Sequence, residues 1–155
     1  MQRYIKMRTK QNNSHFFLYY SRFAVPLHPQ NVIKMKDICC IGHVTKDKIV
    51  TPSSTVYMAG GTSFYFAYAI NQLPKDVSFS LITAMDPTEK EPVEKMLKAG
   101  IDVTLNPSRN TVFFENIYGD NPNDRKQRVL AKADPFTIQQ LEHVEAKVFH
   151  LGSLL

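Results

Sequence analysis

From Asp37 to Leu151 the sequence alternates strand-like and helix-like segments, and this alternation constrains the fold more than any other feature. Ile38 to Gly42 (ICCIG) is a short run, apolar on both faces, of the kind found in a buried strand. Lys48 to Met58 reads as extended, with Pro52-Ser53-Ser54 as a turn inside it. After Gly60-Gly61, Thr62 or Ser63 can cap a helix to about Leu73, stopped by Pro74. That helix is apolar nearly all round, which predicts burial. Val77 to Ile82 is a strand. Thr88 to Lys98 is an amphipathic helix, with Thr88 and Glu91 as a capping box and Gly100 beyond its end. Ile101 to Leu105 is a strand, and 111–118 with 127–131 form a hairpin across a loop rich in turn formers. Thr137 and Gln140 make a second capping box ahead of a last strand, Lys147 to Leu151. Such an order implies βαβ crossovers and a mostly parallel sheet, with ligands at the carboxyl ends of its strands.

Charge divides the chain. Residues 1–36 hold seven Lys or Arg and no Asp or Glu, whereas the remainder holds 12 basic and 14 acidic residues. The overall charge of +5 therefore belongs to the leader, and a general nucleic-acid-binding role for the folded part is not expected. Tyr4, Tyr19 and Tyr20 beside basic residues could form a stacking surface. Three readings of the leader compete: a basic binding arm, an organelle-targeting segment, or non-native sequence upstream of a start at Met35. The third is preferred, because a strand begins two residues after Met35. The longest apolar runs are too short to span a bilayer, so no membrane partner is expected. Cys39 and Cys40 are adjacent and read as two reduced core thiols, which makes the cytoplasm the default location.

Familiar phosphate-loop, zinc-protease, serine-hydrolase and dinucleotide motifs are absent from the sequence. The five histidines have no metal-ligand spacing. His43 lies at a strand end, where a structural or solvent-facing role is preferred over a site role; His143 and His150 read as structural. Two clusters stand out. In Gly42 to Val50 (GHVTKDKIV), a buried strand delivers Thr45 and Asp47 just past its end, and a carboxylate can accept from two hydroxyls of a diol at once. Asp47 could equally be a turn or capping residue. In the second cluster, Gly60-Gly61 lets backbone approach a ligand at a helix N-terminus, although a tight turn explains a glycine pair equally well.

Taken together, the strand ending in G-x-x-x-x-D, the extended stretch and GG opening a helix resemble the N-terminal signature of ribokinase-like (PfkB-type) carbohydrate kinases. The likeness continues through Ala84-Met85-Asp86, Ala99-Gly100-Ile101-Asp102, a lid hairpin at about 111–131, and FHLGSLL. It covers residues 37–155 and implies a ribokinase-like three-layer α/β fold, with a mostly parallel central sheet and a small β lid, cut off before its C-terminal half. Members phosphorylate a sugar, nucleoside or related alcohol with ATP and Mg2+. By that resemblance Thr45, Asp47, Gly60 and Gly61 would bind the acceptor. Tyr65 stands where the family often has Asn, exchanging an amide for one hydroxyl and an aromatic face. Glu115, Asn116 and Arg128 would be lid contacts, with a solvated charge cluster as the alternative. The family's catalytic Asp lies in a GAGD-type loop, and no G-x-G-D occurs in this sequence. The resemblance therefore implies a substrate-binding half without kinase activity of its own, holding neither ATP nor Mg2+ tightly. The alternative is a non-catalytic polyol-binding or dimerisation module. Partners would be a small sugar or polyol, and either a second copy through the lid or a complementary C-terminal half.

Overall fold

The computed structural model describes residues 17–20, 23–26 and 35–152, apart from 75 and 122. Two compact units divide the chain between Lys34 and Met35. In the first, β1 (Phe17–Tyr20) and β2 (Phe23–Pro26) pair antiparallel. The sequence shows no strand period there, since FLYY and FAVP lack the apolar–polar alternation that marks a half-buried strand. The arm, targeting and non-native readings of the leader fall mostly on residues outside those described, as do the side chains of Tyr4, Tyr19 and Tyr20.

The second unit runs β3 (Lys36–Ile41), β4 (Thr45–Val50), β5 (Thr55–Gly60), α1 (Thr62–Ile70) and β6 (Phe79–Met85). A 3-10 turn (Pro87–Glu89), α2 (Glu91–Lys98), β7 (Val103–Pro107), β8 (Phe113–Tyr118) and β9 (Arg125–Ala131) follow, then α3 (Ile138–Leu141) and β10 (Ala146–Leu151). Four of these strands form a parallel sheet in the order β10-β3-β6-β7. The other four form a mixed lid sheet in the order β5-β4-β8-β9.

The core lies on both faces of the parallel sheet. Cys40, Leu81 and Val44 pack with Ala67 of α1 and Met96 of α2 on one face. Cys39, Ile41 and Ile82 meet Phe136, Leu141 and Val144 on the other. Adjacent cysteines thus serve opposite layers, as strand alternation requires, and both are free and fully buried. Burial pushes both thiols above their ordinary pKa.

Three local expectations need correction. α1 stops at Ile70 rather than Leu73: Gln72 and Leu73 N–H donate three residues back, to Ala69 and Ile70, and tighten the chain before Pro74. α1 is also less buried than its composition implies; only Ser63 and Ala67 are fully covered, and Tyr65 is 55% exposed. Thr88 does not cap α2. Its hydroxyl donates to Asp86 Oδ1 at 2.8 Å and its N–H donates to the same oxygen, so Asp86 caps the 3-10 turn and α2 begins at Glu91. At α3, Thr137 N–H donates to Gln140 Oε1 at 2.8 Å, as the second capping box requires.

Candidate functional site

The carboxyl end of β3 leads directly into the lid. Gly42 N–H donates to Ile82 O at 3.0 Å, and Val44 N–H donates to the buried Thr83 Oγ1 at 2.8 Å. These bonds fix where β4 departs from the parallel sheet. Thr45 and Asp47, two apart on β4, then share one face of the lid.

Thr45 is 1% exposed, and its Oγ1 donates to Asp47 Oδ1 at 2.7 Å. Gly60 pairs opposite Thr45. A Cβ on Gly60 would overlap the Asp47 carboxylate, so only glycine leaves that carboxylate in place. Gly61 has φ 92 and ψ 152, a conformation essentially confined to glycine. A Cβ there would also lie 2.8 Å from His43 O and 2.9 Å from Thr45 Cγ2. Gly61 is the N-cap of α1, and no side chain caps the helix start. Thr45, Asp47, Gly60 and Gly61 are therefore one constellation.

The remaining sequence-named residues divide. Tyr65 lies on the exposed side of α1, its ring edge-on to Phe64 at 5.3 Å. Asn116 shares the lid face of Asp47, since Phe114 is the register partner of Asp47 and Asn116 follows two residues later. It is buried and accepts from Gln127 Nε2 at 2.9 Å. Glu115 and Arg128 stand on the opposite face, in register with Lys48. Arg128 bonds Glu115 Oε2, and Lys48 Nζ donates to Oε1 at 3.0 Å. Arg128 first, then Lys48, holds the Glu115 carboxyl below its usual range. These three charges cross-brace the lid sheet. His43 is buried and stacks on Phe136 at 5.0 Å, between the lid junction and the second core layer.

Two features were not read from the sequence, which offered Thr62 or Ser63 only as a cap for α1, a place that Gly61 takes instead. Ser63, fully buried, fills the gap above Gly42 and Gly152, where a Cβ on either glycine would collide with its hydroxyl. Lys46, on the lid face away from Asp47, reaches the 3-10 turn and pairs with Glu89 at 2.5 Å, which lowers the Glu89 pKa. The pair borders a cavity of about 300 Å3, also lined by Tyr57, Met85 and Thr111.

No family model matches the sequence. No curated protein matches it either. Solved structures do. A pyrophosphate-dependent kinase in the ribokinase family, solved as a sulfate complex, shares 26% identity at a TM-score of 0.61; the match covers 74% of this chain and 40% of that one. The fold is ribokinase-like. A pyrophosphate-dependent kinase of the same family, complexed with a pyrophosphate analog and myo-inositol, matches at 27% identity and TM-score 0.61, over 74% of this chain and 39% of that one. Fructokinase from Halothermothrix orenii has the same fold at 14% identity and TM-score 0.55, with 74% and 45% of the two chains covered. The ribokinase-like chain thus spans about 40% of the length of the solved kinases it matches. Among its described residues no helix is long and apolar enough to cross a membrane.

Proposed function

We propose that residues 35–155 are the acceptor-binding half of a ribokinase-family phosphotransferase, and that Asp47 grips two neighbouring hydroxyls of a sugar or related polyol. The observation that carries this reading is the Thr45–Asp47 bond of 2.7 Å, held against Gly60. Thr45 satisfies one lone pair of Oδ1, which orients the carboxylate and leaves its other sites for ligand hydroxyls. Gly60 keeps the backbone low beside the carboxylate, and the uncapped start of α1 supplies N–H donors. Asn116 is the lid residue best placed to join them. Glu115 and Arg128 instead stiffen the lid from behind.

The donor for the whole kinase is ATP with Mg2+ in this reading, by family resemblance. Among the described residues no three His, Cys, Asp or Glu converge in a way that could hold a metal ion. The chemistry assigned to these residues in this reading is acceptor binding. The test is titration of the 155-residue chain with myo-inositol and D-ribose, followed by amide NMR shifts. Shifts centred on Thr45, Asp47 and Gly60, weakened at least tenfold by Asp47→Asn, are expected. No phosphoryl transfer from ATP or pyrophosphate is expected from the chain alone. Shifts that ignore the Asp47 change would overturn the assignment and favour the second reading, a non-catalytic module that pairs through its lid. Val56, Val129 and Leu130, exposed on the lid, favour that alternative.

A further inference from the structure

We propose that Lys46 and Glu89 are positioning residues: their ion pair is a strut that sets the tilt of the lid sheet, and through it the place of Asp47 relative to the carboxyl ends of the parallel strands. The proposal rests on the acceptor-binding reading given above and adds what aligns that site from behind. Two strands carry the lid away from the parallel sheet. β4 follows β3 after Gly42-His43-Val44, β8 follows β7 after 108–112, and the two begin to pair where Lys46 meets Phe113. At that root Lys46 N–H donates to Val112 O at 2.8 Å. Lys46 is also the residue between Thr45 and Asp47. Strand alternation sends its side chain to the back of the lid while theirs share the front. Whatever holds Lys46 from behind therefore holds the backbone that carries Asp47.

The anchor on the other side is firm. Glu89 closes the 3-10 turn, its N–H donating to Asp86 O at 2.9 Å, and Asp86 Oδ1 holds the turn through Thr88. Asp86 N–H donates to the buried Thr111 Oγ1 at 3.2 Å, which ties the turn to the chain entering β8. On the lid side, the Lys46 ammonium lies 5.2 Å from the centre of the Phe113 ring, a second attraction that limits its swing. Among the described residues this is the one ion pair that joins the lid sheet to the rest of the unit. It also spans a place where packing is missing: the cavity of about 300 Å3 lies between β5 and the start of α2, with Tyr57 on one wall and Pro92 on the other. Close-packed layers resist rotation against each other, whereas a sheet beside an open gap has room to tilt. The side chains of the pair are 40% and 35% exposed, so the bond adds little to folding stability. A bond that is weak for folding, yet single in its place, acts on alignment.

The experiment cuts the strut from either end, with Lys46→Met and with Glu89→Gln. Each variant of the full chain is titrated with myo-inositol and D-ribose by NMR. Residual dipolar couplings, read without ligand, give the angle between the lid strands and the parallel sheet. Both variants should tilt the lid and weaken binding by about fivefold, the worth of one partly exposed ion pair. The double variant should bind no worse than either single one, since each change cuts the same strut. Lys46→Arg, which keeps the charge and the ring contact, should keep the lid angle and nearly all of the affinity. Urea midpoints, little changed, separate misalignment from lost fold. Unshifted couplings in both single variants would overturn the strut, and so would affinity losses that add in the double variant. If the unaltered chain binds neither ligand at tens of millimolar, the acceptor reading falls, and the couplings alone then decide for or against the strut.

Discussion

Gly61 shows how one backbone torsion holds the site together. Its φ of 92 and ψ of 152 lie in a region that costs other residues about 1–3 kcal/mol. A methyl there would also press on His43 O and Thr45. Gly100 has φ 83 but open space around it, and Gly119 meets nothing within 4 Å. The three alanine variants should therefore rank. Gly61→Ala should lose the most stability, Gly100→Ala about 1 kcal/mol from torsion alone, and Gly119→Ala almost none. Urea midpoints measure the order, and equal losses at Gly61 and Gly100 would show that the Thr45 contact is slack. Thr45→Val is isosteric but cannot donate to Asp47. Loss of a hydrogen bond to a charged acceptor is worth about 1.5–3 kcal/mol, so this variant should unfold earlier as well as bind polyol more weakly.

At the scale of elements, the lid sheet depends on charge in a way that pH reveals. Glu115 is buried and its folded pKa lies below the unfolded value, through Arg128 and Lys48. The unfolded state thus binds the proton more readily. The stabilisation is complete above the ordinary Glu range near 4.3 and disappears as pH falls through the lower folded value. Between pH 6 and pH 3 the chain should lose more stability than Glu115→Gln does, and a parallel fall in the two would remove Glu115 from the account. This brace shows why only part of the lid could be read from sequence. The hairpin 111–131 announced itself by turn formers and alternation, but β4 and β5 were read as one broken extended stretch. What joins them to β8 is a parallel pairing between residues more than sixty apart, Lys48 with Glu115, and no local pattern encodes such a partner. The parallel sheet was legible because buried strands leave apolar runs. Capping was legible at Thr137, where Gln140 reciprocates. It was misread at Thr88, because Asp86 two residues earlier competes for that hydroxyl. Of the site, Thr45, Asp47 and the glycine pair were visible as a motif. Ser63 and the Lys46–Glu89 link were not, since each depends on a gap or a neighbour that folding creates.

For the whole second unit, the decisive feature is the outer side of β10. Among the described residues it pairs only with β3 and forms one edge of the parallel sheet. Edge strands in stable proteins are commonly short, charged or covered, whereas this one carries Val148, Phe149 and Leu151 at 55%, 47% and 64% exposure. The apolar residues lie on both faces, because Val148 and Phe149 are neighbours on one strand and project to opposite sides. A strand apolar on both faces belongs in the interior of a parallel sheet, and solvent contact there favours association through the free backbone edge. The isolated chain should therefore self-associate with rising concentration. Phe149→Lys with Leu151→Lys should raise the monomer fraction at little cost in stability, since both side chains are already exposed and lysine disfavours edge pairing. Sedimentation velocity across a range of concentrations measures this, with a urea melt as the check on folding. A chain that stays monomeric without these changes would mean that the exposed edge is tolerated as it stands. Association that persists in the double variant would move the contact to the lid, where Val56, Val129 and Leu130 are the next exposed apolar residues.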